Sequence, residues 1–437
     1  DLLAVQYPDG AQRSFAYDPA TGRMLSEKNA DNIETSYSYN EFGFLREIHL
    51  QNGASASYEH PEALNGLLAN QASETKIIRD NGADLGGASG STVDPNGNKT
   101  SFVKDYGGYV EEVVDPLGHR SQLIGDANGR LVESTNSKGG KTKFSYGPLG
   151  DMEKAENVTL ETELIQSFDS FGNLLERADI KGLIARNVYF SNGLRSSTAD
   201  SAGRITSFEY NSRGQPTLTV DHRGGRWERN YDGKGNLLSL KDPLNHLRSW
   251  TYDDAGNVLT ATDENGHVTR MLYDFMNRVV RQESPKGAVT LFTYTPSGQL
   301  ATITDAGGGV TTYTYNSLGK IASVINPLGL ETRRSYDNSG NLIQENDPNG
   351  NEKTYVFDAL NRLKTKNLPD DSVHFEYDEV GQTTLAANSV SSVDFAYDQA
   401  GRLRSAHSET QGPSGPAHEI LLSYDMDERG NRIGMTT

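Results

Sequence analysis

The sequence contains no cysteine, which excludes disulfide bridges and thiolate metal sites but does not fix the cellular compartment. No run of about 18 apolar residues occurs, so no membrane-spanning helix is predicted. Hydrophobic residues make up only 35% of the chain, and they almost never follow helical spacing. So small an apolar fraction is typical of a β-sheet that keeps one face in water.

Positive charge is also scarce, because the 437 residues carry a formal net charge of −18. Binding to phosphates needs clustered Lys and Arg, so this balance argues against nucleic acid as a partner. No signal peptide is recognisable at the start. The chain begins and ends inside a repeated pattern, and we expect it to be a segment of a longer protein.

The repeated pattern is an aromatic residue followed by Asp, Asn or Thr, which recurs every 21 residues from Tyr210 to Phe357. A second signal, Asp or Asn, stands 11 residues after most of these aromatics, as at Asp221 and Asp242. Two interleaved signals at one fixed period indicate a repeat array.

The array accounts for nearly the whole chain, so we predict a single domain over residues 1–437 with repeats of about 20–22 residues. The most regular part is 146–403, and 59–93 is predicted to be an irregular insert. Within that insert, the spacing after Pro61 predicts a short helix, and Gly82–Ser91 is predicted to be a mobile loop.

One repeat predicts two strands and two turns. Thr311–Tyr315 alternates threonine with tyrosine, as expected of a half-buried strand. Asn316–Gly319 fits a type I turn, in which the Asn side chain caps the turn and Gly accepts a positive φ. Ile321–Ile325 resumes as a strand, and Asn326–Gly329 turns again.

A bulky apolar residue usually stands two places before the repeat aromatic, and thus on the same strand face. We predict an aromatic ladder that supplies the main cohesion of the sheet. The predicted structural aromatics are Tyr17, Tyr39, Tyr146, Phe168, Tyr210, Tyr231, Tyr252, Tyr273, Tyr294, Tyr315, Tyr336, Phe357, Tyr377, Tyr397 and Tyr424. The predicted turn glycines are Gly43, Gly172, Gly214, Gly235, Gly256, Gly298, Gly319, Gly340, Gly381 and Gly401.

The aromatic ladder and the Asp that follows each repeat aromatic both have a chemical alternative. An exposed aromatic row could stack sugars or bases, and the Asp after each Tyr could be a metal or catalytic carboxylate. The fixed place of that Asp at the start of a turn favours capping instead. Asp94–Asn98 and Asp347–Asn351 have the Gly of a calcium loop at the wrong position and lack its final Glu. We therefore predict no catalytic, cofactor or metal site.

The repeat count predicts about 40 strands, which would extend about 190 Å side by side. Twist forces so long a ribbon to coil. A single ring would be about 60 Å wide, and tighter spirals are also compatible with the sequence. We expect a curved or spiralling sheet around a cavity, with exposed edge strands at both ends.

At Tyr231–Leu237, Tyr252–Val258 and Tyr336–Leu342 the motif Tyr-Asp-x-x-Gly-x-Leu/Val resembles the RHS/YD-repeat family. The resemblance covers nearly the whole chain and implies an all-β, hollow cocoon of spiralling antiparallel hairpins, of which this chain would be a fragment. In bacterial polymorphic toxins and insecticidal toxin complexes such a cocoon encloses a C-terminal toxic domain. The family's self-cleaving segment is not found here, and Asp347-Pro348 fits an ordinary turn.

The resemblance implies a non-catalytic, encapsulating shell segment of a secreted or injected bacterial toxin. Its partners would be the toxic cargo and the remaining shell repeats of the same polypeptide, with a delivery or partner shell protein beside them. The alternative is an extracellular adhesion or carbohydrate-binding surface protein, as in teneurin-like receptors, which would take glycans as ligands. An enzyme is disfavoured, because a 21-residue period spreads side chains in rows.

Overall fold

The computed structural model describes residues 2–59, 88–104, 109–398, 401–410, 418–426 and 432–436. Within these residues every regular element is a β-strand. In chain order the strands are β1 (Ala4–Gln6), β2 (Gln12–Tyr17), β3 (Met24–Lys28), β4 (Glu34–Tyr39), β5 (Leu45–Leu50), β6 (Ser55–Glu59), β7 (Ala88–Val93), β8 (Lys99–Lys104), β9 (Val110–Val114), β10 (Arg120–Gly125), β11 (Leu131–Thr135), β12 (Lys141–Tyr146), β13 (Met152–Asn157), β14 (Thr162–Phe168), β15 (Leu174–Asp179), β16 (Gly182–Tyr189), β17 (Arg195–Asp200), β18 (Ile205–Tyr210), β19 (Pro216–Val220), β20 (Arg226–Tyr231), β21 (Leu237–Lys241), β22 (Leu247–Tyr252), β23 (Val258–Thr262), β24 (Val268–Tyr273), β25 (Val279–Glu283), β26 (Val289–Tyr294), β27 (Leu300–Thr304), β28 (Val310–Tyr315), β29 (Ile321–Ile325), β30 (Glu331–Tyr336), β31 (Leu342–Asn346), β32 (Glu352–Phe357), β33 (Leu363–Asn367), β34 (Ser372–Tyr377), β35 (Thr383–Ala387), β36 (Ser391–Tyr397), β37 (Leu403–Thr410), β38 (His418–Met426) and β39 (Arg432–Thr436).

All 39 strands belong to one antiparallel sheet in which each strand pairs with its neighbours in sequence. The predicted all-β fold of stacked hairpins is therefore confirmed. Sequential hairpins need only short connections, and Asx-x-x-Gly turns such as 232–235 and 316–319 provide many of them. Among the described strands, β1 and β39 each pair on one side only.

Two kinds of turn alternate along the ribbon. A YD turn follows an even-numbered strand, as at 232–236, and here the register shifts by a bulge at Tyr231, which pairs with Leu237. A linking turn follows an odd-numbered strand, as at 242–246, and no register shift accompanies it. Since the strands run up and down, all YD turns lie along one edge of the ribbon and all linking turns along the other.

The sheet is a single layer with almost no conventional core. The chain exposes 26746 Å², whereas a compact chain of this mass would expose roughly 16,000 Å². Ala54, Leu218 and Ala406 are the only buried hydrophobic residues in the described part of the chain. If opposite walls packed face to face, many more side chains would be buried, so the interior is open.

The ribbon coils on itself, because turns that lie 240 to 269 residues apart in sequence are in contact. The turn after β1 contacts the turn after β24, and the turn after β11 contacts the turn after β34, so one coil takes 23 strands. At about 4.8 Å per strand the circumference is about 110 Å and the width about 35 Å. The single wide ring of 60 Å is thus wrong, and the tighter spiral is what the chain forms, since twist closes the ribbon after 23 strands.

The predicted insert differs from the structure where the structure describes it. Ala88–Val93 forms β7, which pairs with both β6 and β8, so the end of the predicted mobile loop is a strand. Backbone pairing on both sides outweighs the poor strand preference of Gly90. The helix predicted after Pro61 lies outside the described residues.

Candidate functional site: the coiled wall and its seam

Most YD turns are capped by the carboxylate or amide of the residue that opens them, as Asp232 shows. At Asp232, Oδ1 accepts hydrogen bonds from the backbone N–H groups of Lys234 at 2.8 Å, Gly235 at 2.7 Å and Asn236 at 2.8 Å. The Asn236 side chain donates to Oδ2 at 2.9 Å. These hydrogen bonds, first that from the Asn236 side chain, lower the pKa of Asp232. The Asp232 carboxylate therefore accepts four hydrogen bonds from its own turn, which is the role of a turn cap.

Some linking turns use the same cap with a histidine in the fifth position. His246 and His267 share a repeat phase, yet each ring Nδ1 lies 2.8 and 2.9 Å from the carboxylate of its own turn, Asp242 and Asp263 respectively. The two imidazoles are therefore engaged separately. No group of three or more His, Asp or Glu suited to a metal ion occurs among the residues that the structure describes.

Most tyrosines that end an even-numbered strand reach back into the preceding repeat. Tyr252 donates its hydroxyl to the carbonyl of Leu237 at 2.8 Å, and Tyr273 donates to Val258 at 3.0 Å. Leu237 lies beyond the part of β21 that pairs with β22, so its carbonyl lacks a ladder donor there. Burial raises the pKa of both tyrosines.

Direct ring stacking does not hold the ladder together. Successive tyrosines stand two strands apart, about 9.6 Å, which exceeds the usual range for ring pairs. Arginines from the intervening YD turns fill the gap, since the guanidinium carbons of Arg130 and Arg278 lie 4.8 and 4.7 Å from the rings of Tyr146 and Tyr294. Arg23 and Arg362 lie over the rings of Tyr39 and Tyr377 in the same way, so a cation separates the rings at these rungs of the ladder.

The predicted aromatics up to Tyr397 each end an even-numbered strand, and Tyr424 lies within β38. Every predicted turn glycine has a positive φ, from 71° at Gly319 to 101° at Gly235. The structural role of these aromatics and glycines stays a prediction.

Three further residues, Tyr189, Asn277 and Asn361, share these places although the repeat motif does not mark them. Tyr189 donates to the carbonyl of Leu174 at 2.8 Å as the other ladder tyrosines do. It stands 21 residues before Tyr210, but Phe190 replaces the Asp that would have marked it. Asn277 and Asn361 occupy the glycine place of their YD turns with φ of 59° and 60°. Asn tolerates this conformation better than other side chains, so it was a usable signal.

The seam joins the linking turns of the first coil, β1–β23, to the YD turns of the second, β24–β39. Arg278 pairs with Asp9 at 3.1 Å, and Lys138 pairs with Asp378. The backbone N–H of Asp31 donates to the Ser297 hydroxyl at 3.2 Å. The Asn96 amide donates to Asp337 at 2.9 Å. The seam therefore consists of side-chain contacts between turns, and the strands of the two coils do not pair across it.

The best buried seam contact is that of Asp378, whose side chain is 9% exposed. Burial, the largest single influence, would raise its pKa, but the hydrogen bonds from Lys138 and from the backbone of Gln382 and Val380, together with the charge of Lys138, outweigh burial and leave the pKa lowered. Beside the seam a cavity of about 640 Å³ opens between the coils, with Ile33 on one side and Met276 and Leu318 on the other. The seam thus combines ion pairs with a partly apolar gap.

Two overlapping ranges, 207–362 and 291–426, match the family model described as Teneurin YD-shell, and together they span half of the chain. The chain belongs to the YD-shell family. A search of curated proteins gives no match. No helix in the described part of this YD-shell chain has the length and apolar character needed to cross a membrane.

Solved structures show the same fold. The crystal structures of TcdB2-TccC3-Cdc42 and of TcdB2-TccC3 each match with a TM-score of 0.60 at 14% identity over 99% of this chain. TcdB2-TccC3 without its hypervariable C-terminal region matches with a TM-score of 0.59 at 13% identity, again over 99% of this chain. The match takes in 34%, 32% and 33% of those chains, so the YD-shell described here spans about a third of their length.

Proposed function

We propose that this chain is a non-catalytic wall segment of a secreted bacterial RHS/YD-repeat shell, which encloses a C-terminal toxic domain outside the sequence described. The observation that carries the proposal is the coil of 23 strands closed by the seam. A wall of that kind separates a lumen from solvent. The hypervariable C-terminal region of TcdB2-TccC3 supports a cargo that changes while the wall is kept.

The lumen sets the form that the cargo takes. Side chains occupy about 5 Å on the inner face, which leaves a bore of about 25 Å inside a coil about 35 Å wide. A folded domain of about 100 residues has a radius of gyration of about 13 Å, so its full width exceeds this bore. Along this segment the cargo is held as extended chain or as single helices, which are about 10–12 Å wide.

The alternative of an adhesive or glycan-binding surface gains no support from the ladder. Glycan stacking needs exposed ring faces, whereas the ladder tyrosines are half-buried and donate their hydroxyls to backbone carbonyls. Partners of the proposed shell are the cargo, further repeats of the same polypeptide, and a delivery or partner shell protein, all outside the cell that makes it.

Limited proteolysis of the natural full-length protein that contains this segment tests the proposal. We expect the domain downstream of the repeats to resist protease while the shell is folded, and to be digested once denaturant opens the shell. The same domain expressed alone is the control, and it should be digested at once. Equal digestion of the free and the attached domain would refute encapsulation. Binding to a glycan array that persists without the downstream domain would favour the adhesive alternative.

A further inference from the structure

One place on the seam holds two carboxylates with which no Lys, Arg or His pairs. It consists of Asp94 and Asn96 in a linking turn of the first coil, and of Asp337, Ser339 and Asn361 in two neighbouring YD turns of the second. We name these five residues the seam cluster. Elsewhere along the seam a Lys or Arg meets a carboxylate. Among the described residues neither carboxylate of the seam cluster forms an ion pair, so its negative charge is uncompensated.

Neutral amides bridge the two sides of the seam cluster. The Asn96 amide donates to Asp337 Oδ2 at 2.9 Å, and the Asn361 amide donates to Asp94 Oδ2 at 3.3 Å. Asn361 Oδ1 lies 3.5 Å from the Asn96 amide nitrogen. Both contacts of Asn361 across the seam are longer than an ordinary N–H···O hydrogen bond, and they leave the two charges in place. Like charges held on the two sides of a joint repel each other unless a cation lies with them.

A buried hydroxyl of the seam cluster has no hydrogen-bond partner. Ser339 Oγ is buried and unpaired, although the N–H of the same residue donates to Asn96 Oδ1 across the seam at 3.2 Å. At the equivalent place of another YD turn, the Ser297 hydroxyl faces the first coil and accepts the N–H of Asp31. The repeat therefore places the Ser339 hydroxyl toward the linking turn that holds Asp94. A buried polar group without a partner is one that a bound ion satisfies.

The types of oxygen in the seam cluster select the ion. Carboxylate, amide and hydroxyl oxygens are hard ligands, and Ca²⁺ takes roughly six to eight of them at about 2.3–2.6 Å in a flexible geometry. Mg²⁺ demands a near-ideal octahedron at about 2.0–2.1 Å, which side chains from three separate turns satisfy poorly. We propose that the seam cluster binds one Ca²⁺ through its two carboxylates, the Asn361 carbonyl oxygen and the Ser339 hydroxyl. The ion neutralises the carboxylates and joins the second coil to the first.

No single turn contains this site, which is why the sequence does not show it. Asp94–Asn98 alone lacks the glycine position and the final Glu of a calcium loop. The coil brings it to Ser339, 243 residues away. The inference goes beyond the proposed function, because the seam belongs to the wall whether or not a cargo lies inside. The proteolysis experiment and the calcium experiment can therefore fail independently.

Calcium titration of the whole 437-residue chain, first stripped of metal by a chelator, tests the site. Calorimetry in about 0.15 M NaCl screens the diffuse attraction of Ca²⁺ to a chain of net charge −18. We expect about one ion to bind with a Kd of about 0.1–1 mM, the range of extracellular calcium modules. The urea midpoint should rise with calcium, because the site exists only while the coils are together. The absence of a saturable calcium site, or an equal response to Mg²⁺, would overturn the proposal.

Asparagine variants locate the ion. Asp94→Asn and Asp337→Asn each remove one carboxylate but keep the turn cap, since Asn opens other turns of the same form at 316–320 and 326–330. Each variant should weaken calcium binding about tenfold or more. The matched control is Asp232→Asn, the same exchange in a YD turn outside the seam, and it should bind calcium as the unaltered chain does. Unchanged binding by a seam variant, or an equal loss in the control, would contradict the site.

Ser339→Ala separates a calcium ligand from a group that only supports the wall. Without calcium, removal of an unpaired buried hydroxyl should leave the urea midpoint equal or raise it. With calcium, the rise in the midpoint should be smaller than in the unaltered chain. A lower midpoint in the chelator, or a full response to calcium, would show that the hydroxyl is not a ligand.

Discussion

The tyrosine hydroxyl serves one backbone carbonyl, and the hairpin bulge explains why. The bulge at Tyr231 sets Leu237 before the part of β21 that pairs onward with β22, so the Leu237 carbonyl has no N–H opposite it. An unpaired backbone group in a half-buried place costs about as much as a lost hydrogen bond. The Tyr252 hydroxyl, one repeat later, supplies the donor. The 21-residue period therefore couples each repeat to its predecessor.

Exchanging Tyr and Phe within the ladder measures this coupling. Tyr273→Phe leaves the Val258 carbonyl unpaired and should destabilise its hairpins by about 1–2 kcal/mol. Phe357→Tyr puts a hydroxyl at the equivalent place before Leu342 and should stabilise by about 0.5–1.5 kcal/mol. Hydrogen exchange of amides in the neighbouring strands gives the local free energies, since repeat arrays do not unfold as one unit. If the local unfolding free energies of both variants changed in the same direction, the tyrosine hydroxyl would not be what couples the repeats.

At the scale of the turn, the fourth position demands a left-handed backbone. Gly256 has a φ of 90°, and a Cβ placed there would meet only the Asn236 side chain at 3.6 Å. The cost of a substitution is thus conformational, with almost no steric part. Asn277 and Asn361 adopt the same conformation naturally.

Substitutions at Gly256 separate conformation from volume. Gly256→Asn should cost less than about 1 kcal/mol, because Asn enters this region readily. Gly256→Val should cost about 2 kcal/mol or more, since a β-branched residue strongly resists positive φ. Urea midpoints of the two variants and the unaltered chain provide the comparison. Equal losses for Asn and Val would show that space, and not φ, governs the site.

The side-chain caps make the stability of the turns depend on pH. Hydrogen bonds, first those from the Asn side chain in the fifth position, lower the pKa of Asp169, Asp232 and Asp253 below the ordinary value of 3.8. The folded state then binds fewer protons than the unfolded state, so this stability is complete above about pH 4 and is lost as pH falls through the lowered pKa. Thermal unfolding between about pH 7 and pH 2 should show the decline only at its acid end. An unchanged midpoint down to pH 2 would contradict the caps.

Each strand and turn of this chain is specified by residues close together in sequence, which is why the sequence predicts them. Tyr313 and Tyr315 alternate with threonine, and Asn316 and Gly319 specify a turn, all within a few residues. The motif does not identify Tyr189, because Phe190 stands in place of the Asp, Asn or Thr that follows the other repeat aromatics. The contact between Asp31 and Ser297 depends on the twist summed over 23 strands, and no short pattern encodes that sum.

At the scale of the whole molecule, stability is divided between two very different joints. Hairpins within a coil share backbone ladders and the tyrosine hydrogen bonds, whereas the coils meet through side chains of turns. Exposed ion pairs contribute about 0–1 kcal/mol each. The seam is therefore the weaker joint, and the coils should separate before the hairpins unfold.

A disulfide across the seam would fix the coil and test its geometry. The Asp31 N–H lies 3.2 Å from the Ser297 hydroxyl, so cysteines at these two places are within bonding reach, and the natural chain has no cysteine to compete. We expect Asp31→Cys with Ser297→Cys to cross-link under mild oxidation of the folded chain and to raise the urea midpoint. Asp31→Cys with Asn192→Cys is the control, because Asn192 holds the same turn position in the YD turn 190–194, which lies in the first coil and outside the seam. Linking of the control pair, or failure of the seam pair, would mean that the ribbon does not close after 23 strands, and the lumen inferred from that closure would be lost with it.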